Sequence, residues 1–385
     1  MRKVYMDHSA TTPTRPEVVE AMLPFFTEQF GNPSSLHQFG QWTRAAVEEA
    51  RDRVAKLIGA ESEEVFFTSG GTESDNMVIK GVGFKNIEKR GHIITSKIEH
   101  HAVLEAVGFM EKLGFDATYL DVDGYGFVSP DTLREAIRDD TILISVMMTN
   151  NEVGTIEPIR VLADIARERE IPFHTDAVQS FGKIPVDVEE LGIDFLASSG
   201  HKFYGPKGVG ICYMRKSAQH RLVNFVHGGS HESGKRAGTE NIPGIIGFAK
   251  ALELAVADLD REPRRQAELA DMFYRGLRDA IDGVELNGPE KNRLPGLLNI
   301  SFDKIEGESL LISLDMQGIA ASSGSACTSE TLEASHVLTA MHCDPVRAHS
   351  SLRFSLGREN TEEDIEYVLR VLPPIVEKLR SVSML

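Results

Sequence analysis

The sequence predicts an α/β protein: a large domain built on a mainly parallel sheet, completed by a smaller α+β domain. Three observations point there. Short β-branched and aromatic runs alternate with helical periods through the first two thirds of the chain. Most of those runs are apolar almost throughout, as strands covered on both faces are. At 385 residues the chain exceeds what one simple core serves, and its character changes near residue 255, where 258–265 is charged and carries Pro263. The expected division is a large domain over 15–255 and a smaller one over 256–385, with residues 1–14 packing on the latter.

The elements follow in order. Residues 42–58 place Trp42, Ala46, Ala50, Val54, Leu57 and Ile58 on one broad face and run into Gly59, an amphipathic helix with a glycine stop. Val65-Phe66-Phe67-Thr68, His92-Ile93-Ile94-Thr95, 142–146, 171–175 and 194–198 read as strands, with a helix over 159–170 among them. Past the boundary come a helix around 268–281, the strand-like run 297–302, and a helix opened by Thr361, which forms a capping-box pattern with Asp364. Pro373-Pro374 interrupts the period of that last helix and predicts a kink or a break.

The excess of 58 acidic over 41 basic residues, a net charge of −17, argues against nonspecific nucleic-acid binding. Cys212, Cys327 and Cys343 are too few and too scattered for a disulfide framework, and no pair has metal-site spacing. A reducing, cytoplasmic setting is the expectation. The N-terminus lacks the apolar core of a signal peptide. The apolar run 142–148 falls far short of the roughly 20 residues that cross a bilayer, so no membrane span is expected.

Chemistry concentrates in Ser199-Gly200-His201-Lys202-Phe203-Tyr204-Gly205, taken with Asp176. A lysine just after an apolar run, inside a Ser/His/Gly turn, suits an amine that must hold a carbonyl cofactor. An acidic residue closing a preceding buried strand suits the partner of a protonated ring nitrogen. A single such lysine is more often a surface residue with a buried stem, and its neighbours decide the case. Thr68-Ser69-Gly70-Gly71-Thr72 follows a strand and opens a helix, where free N–H groups and the Thr72 hydroxyl form an anion seat. Alone, that motif is more simply a helix cap. Asp176 and Gln179 fall beyond a C-terminal strand end, where ligands gather in parallel sheets; alone, Asp176 reads equally as a cap.

Glu99-His100-His101 ends another strand-to-helix connection. The paired histidines find no further ligand at metal spacing, and a ring that stacks on an aromatic cofactor and shuttles protons is the better functional reading. Arg353, inside the apolar run 351–357, is either a buried ion-pair partner or a bidentate clamp for a carboxylate. The small-residue run ending at Cys327 has no large apolar anchors, which predicts a mobile, exposed loop presenting a reactive thiol. Cys212 and Cys343 read as bystanders.

Taken together, these motifs resemble the cysteine desulfurases of the iron–sulfur cluster assembly type, pyridoxal phosphate enzymes of the aspartate aminotransferase-like fold. The resemblance runs from Tyr5-Met6-Asp7-His8-Ser9-Ala10-Thr11-Thr12-Pro13 and Gly31-Asn32-Pro33-Ser34-Ser35 through the motifs above. It takes in Asn150-Asn151-Glu152-Val153-Gly154 and Arg236-Ala237-Gly238-Thr239-Glu240-Asn241, and ends at Arg353-Phe354-Ser355-Leu356-Gly357. It implies that Lys202 carries the cofactor and later moves the Cα proton, Asp176 keeps the ring nitrogen protonated, and Gln179 hydrogen-bonds the phenolic oxygen. His100 would stack on the ring as an acid–base group. Thr72, Ser199 and His201 would bind the phosphate, joined by Thr239 of a second subunit in a homodimer. Asn151 and Arg353 would orient the carboxylate of L-cysteine. Cys327 would be the nucleophile, taking sulfur as a persulfide and passing it to an iron–sulfur cluster scaffold protein. An exposed thiolate on such a loop also suggests Cys327 as a transient cluster ligand.

Departures from the family pattern are Gly228-Gly229-Ser230-His231-Glu232, Cys212 and His101. An aminotransferase or a selenocysteine-preferring lyase shares the fold-level features, but transamination needs no cysteine. An inactive binding protein predicts damage at Lys202, Asp176 or Cys327, and all three are present.

Overall fold

Seven strands form the central sheet of this computed structural model, which describes residues 2–323 and 334–382. Their spatial order is Val65–Thr68, Gly210–Met214, Phe195–Ser199, Phe173–Asp176, Thr141–Ser145, His92–Ser96 and Asp116–Leu120. Gly210–Met214 runs antiparallel to both neighbours, and the remaining pairings are parallel. Five of these strands are buried at every residue, the condition that makes a strand's sequence apolar on both faces. The strand expected over 171–175 starts at Phe173, after Pro172, which has no N–H to give a ladder.

The helix expected over 42–58 spans Gln38–Leu57, and of the expected face Ala50, Val54 and Ile58 are buried while Trp42 is not. Thr43, Val47, Ala50 and Val54 pack inward, whereas Trp42 is 47% exposed. Its indole instead meets Phe39, whose ring meets Phe30, in an aromatic group on the outside of the protein. Gly59 stops the helix region at φ +71°, a conformation that costs glycine little.

A second, antiparallel sheet takes the order Ser322–Ser323, Ser351–Ser355, Leu297–Phe302, Val284–Asn287. Helices Glu262–Ala280 and Glu362–Val382 pack with it around Phe273, Leu298, Phe354 and Leu372. The first of these begins six residues before 268, because Pro263 falls in the first turn, where its missing N–H costs nothing. Thr361 and Asp364 exchange the capping hydrogen bonds, Thr361 N donating to Oδ2 at 3.2 Å and Asp364 N to Oγ1 at 3.4 Å. The break expected at Pro373-Pro374 does not occur, and the helix runs on to Val382. Each interior proline costs about 3 kcal/mol. Burial of Ile365, Val368, Leu372 and Val376 contributes about 1.5–3 kcal/mol apiece, so packing prevails.

The N-terminal segment joins both sheets. Val4–Tyr5 pairs in parallel with Ile319–Ala320, and the chain then crosses to the end of the central sheet. Among the described residues no helix is long and apolar enough to cross a membrane.

One buried ion pair fixes the approach to the central sheet. Arg51 places both Nη atoms on Glu232, at 2.7 and 2.9 Å, and Glu232 Oε2 also accepts from Phe67 N at 2.8 Å. R51M would leave the Glu232 carboxylate buried without its cation. Urea unfolding should then show a loss of about 3–5 kcal/mol, and a loss below about 1 kcal/mol would contradict this role.

Candidate active site

Strands Phe173–Asp176 and Phe195–Ser199 pair in register, so Asp176 and Ser199 reach the same edge of the sheet. Helix Gly71–Lys85 starts at that edge, two residues beyond strand Val65–Thr68. Together they wall a cavity of about 580 Å³, the size that suits a small organic ligand. Thr72, Ser199 and His201 line one part of it, and Asp176, Gln179 and Lys202 line it too. Gly70 sits at φ +152°, and a Cβ on Gly71 would come within 2.4 Å of Val178 Cγ2. The two glycines let the backbone approach the cavity closely, with the first N–H groups of a 15-residue helix at its wall.

Asp176 is 4% exposed and accepts a hydrogen bond from Val178 N at 2.8 Å. Burial raises its pKa, against the pull of that N–H and of the Lys202 charge. Asp75, from helix Gly71–Lys85, lies close by and is 1% exposed, with neither carboxylate oxygen hydrogen-bonded. Burial, and then the charges of Asp176 and Glu99, push its pKa well up. Both carboxyls are thus disfavoured as anions by burial, and Asp75 Oδ1 lies 3.5 Å from His174 Nε2.

Lys202 donates to two main-chain carbonyls of the N-terminal segment, Ser9 O at 2.6 Å and Ala10 O at 2.9 Å. The same segment is stitched to the lysine's own turn. Thr12 N and Oγ1 donate to His201 O, Tyr204 N donates to Thr12 Oγ1, and His201 Nδ1 lies 3.1 Å from Thr11 Oγ1. Burial, and then the Lys202 charge, bring His201 down to about 4.

His100 caps helix His101–Lys112, its Nδ1 accepting from Ala102 N at 3.1 Å. An Nδ1 that accepts requires the ring proton on Nε2. Burial, then the charges of Lys202 and His101, lower its pKa to about 4, so the ring is neutral in neutral solution. Arg353 is 2% exposed and forms an ion pair, Nη2 lying 2.9 Å from Asp7 Oδ1. Its Nη1 donates to Asn151 O at 3.0 Å, and Arg353 and Asn151 both line the cavity.

Two expected site residues stand apart. Thr239 is exposed and does not line the cavity of its own chain. Arg236, three residues earlier, grips Glu73 at the start of helix Gly71–Lys85 at 2.7 and 3.2 Å. Cys327 lies outside the described residues, as does any part it has in holding a cluster. Cys212 is fully buried, its thiol pushed up by burial, and Cys343 is half-buried. Ser9 and Ala10 stand within the run from Tyr5 to Pro13, but their carbonyls are main-chain groups and had no role assigned. Asp75, three residues past Thr72, had none either.

Residues 4–368 match the class-V aminotransferase family, and the chain belongs to it. Cysteine desulfurase IscS of Dictyoglomus turgidum is 58% identical over 382 residues, which cover 99% of this chain and 96% of that one. A solved NifS-like protein superposes with a TM-score of 0.92 at 39% identity, covering 98% of this chain and all of its own. The structure of SspA in complex with cysteine gives 0.83 at 38%, covering 92% and 99%. Within the class-V family the chain is thus one of the cysteine desulfurases.

The tautomer of His100 is directly measurable. Long-range ¹H–¹⁵N spectra should show Nε2–H and Nδ1 without a proton. Because its pKa is lowered from 6.5 to about 4, the signals should stay unshifted from pH 8 down to about 5. A titration midpoint near 6.5 would contradict the buried, capped placement.

Proposed function

We infer that the protein converts L-cysteine to L-alanine and retains the sulfur as a persulfide on Cys327, for iron–sulfur cluster assembly. The observation that carries this reading is one cavity with a buried carboxylate, an amine and a helix N-terminus on its walls, in a chain 58% identical to a cysteine desulfurase. That donor set fits pyridoxal 5'-phosphate. Asp176 would face the ring nitrogen, the start of helix Gly71–Lys85 with Thr72, Ser199 and His201 would take the phosphate, and Lys202 would hold the aldehyde carbon. When bound, the cofactor supplies an electron sink for the pair left behind as the substrate's Cα proton departs.

The chain's own groups do the rest. Lys202 Nζ takes the Cα proton, after substrate arrival frees it. Neutral His100 packs beside the reacting group and offers its Nε2–H. Arg353, held by Asp7, and Asn151 orient the substrate carboxylate. The thiolate of Cys327 attacks the substrate sulfur and the sulfur–Cβ bond breaks. Cβ gains the proton that Cys327 gave up, and Cα regains one from Lys202. Alanine leaves, and the sulfur stays on the protein.

The reading extends to a homodimer in which the partner subunit's Thr239 completes the phosphate seat. Its exposure in the single chain supports this, as do the exposed Leu23, Phe26, Phe30, Leu36 and Trp42, an apolar surface of the sort that marks an interface. Residues 256–385 with 1–14 would form the smaller domain that carries Cys327, and 15–255 the larger. A cluster scaffold protein would accept the sulfur, in a reducing cytoplasm that keeps Cys212, Cys343 and Cys327 as thiols.

Purified, cofactor-loaded protein should release alanine from L-cysteine and form a persulfide, and C327A should do neither. K202A should lack the absorbance of lysine-bound cofactor and lose about 10²–10⁴-fold in rate, the range for removing a general acid–base group. Undiminished alanine release by C327A would exclude the persulfide route through Cys327 and favour a lyase of the selenocysteine-preferring kind, whereas turnover of L-cysteine without alanine would favour a transaminating enzyme on the same fold.

A further inference from the structure

Lys183 has no part in the chemistry above, yet it stands directly behind the site. Its Nζ donates to Gln179 Oε1 at 3.0 Å, and Gln179 Nε2 donates to Ser9 O at 2.8 Å, the carbonyl that also accepts from Lys202. Gln179 lines the main cavity. Lys183 lines a separate small one of about 50 Å³ on the other side, with His8 and Tyr204. It is half-buried, and its partner is an amide rather than a carboxylate. Burial, then the charges of Lys202 and Arg353, bring its pKa down to about 7.

A glutamine amide can turn over, exchanging an oxygen that only accepts for a nitrogen that only donates. Here both ends are specified. Below about pH 7 Lys183 is an ammonium with nothing but donors, so Oε1 must face it. A carbonyl has nothing but acceptor lone pairs, so Nε2 must face Ser9. The second N–H of Nε2 then remains for the cavity. Lys183 is itself held in place, because the preceding Gly182 sits at φ +73° with its Cα against Phe203, where a Cβ would meet Phe203 Cβ at 2.8 Å.

We propose that Lys183 is a positioning residue, which fixes the Gln179 amide so that an N–H donor, not a carbonyl oxygen, faces the cofactor. The inference rests on the pyridoxal phosphate reading of the cavity and adds to it a residue that touches neither cofactor nor substrate. Without Lys183, the Ser9 carbonyl alone would orient the amide, and the donor facing the cofactor's phenolic oxygen would be held less firmly.

The test is a double-mutant cycle on full-length protein stripped of cofactor and titrated with pyridoxal phosphate, read as dissociation constant and as absorption maximum of the bound form. Loss of one neutral hydrogen bond is worth about 2–10-fold, and K183M and Q179A should each weaken binding by that much. K183R, which keeps a donor-only cation, should recover most of the loss. The K183M/Q179A double variant should bind no worse than Q179A, and K183M should share the absorption maximum of Q179A. Wild-type affinity in K183M, or losses that multiply in the double variant, would overturn the proposal. A wild-type protein that bound no pyridoxal phosphate would instead overturn the cofactor reading, and this inference with it.

Discussion

Asp176 is a carboxylate set at the end of a strand that is buried along its whole length. Taking such a charge out of water is expensive unless opposite charge or hydrogen-bond donors face it. The surrounding structure is arranged around that constraint. Val178 N supplies a donor, Lys202 supplies positive charge, and burial beside Asp176 pushes the Asp75 pKa up and so disfavours a second negative charge there. A protonated ring nitrogen is the group such a carboxylate is best placed to meet.

The same division between charged and neutral groups runs through the wider site. Burial leaves His100, His201 and His8 neutral, with pKa values near 4, while Glu99 is raised to about 8 and Glu152 to about 7. Near neutral pH the three histidines therefore add no positive charge beside Lys202 and Arg353. Arg353 comes from the antiparallel sheet and Lys202 from the turn after a central strand. The N-terminal segment joins them, giving Asp7 to Arg353 and the Ser9 and Ala10 carbonyls to Lys202. The relation between the two sheets thus sets the distance between the amine and the guanidinium.

Central strands were legible because burial on both faces writes itself as continuous apolar runs. The helix at Gln38–Leu57 was legible along Ala50, Val54 and Ile58 but not at its start, where Trp42 looked like a core residue and lies on an exposed aromatic surface. Pro373-Pro374 misled because the cost of two prolines is local, whereas the burial of Leu372 and Val376 depends on partners distant in sequence. The residues named around the cavity were readable because they cluster in strand-to-helix connections, and the sheet brings those ends together. Carbonyls that hold Lys202 carry no side-chain signature. Lys183 offered only its four-residue spacing from Gln179, and nothing in that spacing says which way an amide points.

Under the proposed function Asp176 is the charge that would make the cofactor an electron sink, and D176N isolates it by removing the charge with little change in shape. Cofactor-loaded D176N, given L-cysteine, should keep the absorbance of lysine-bound cofactor yet lose alanine release. Alanine release at the wild-type rate, with the cofactor bound, would contradict the account at its centre.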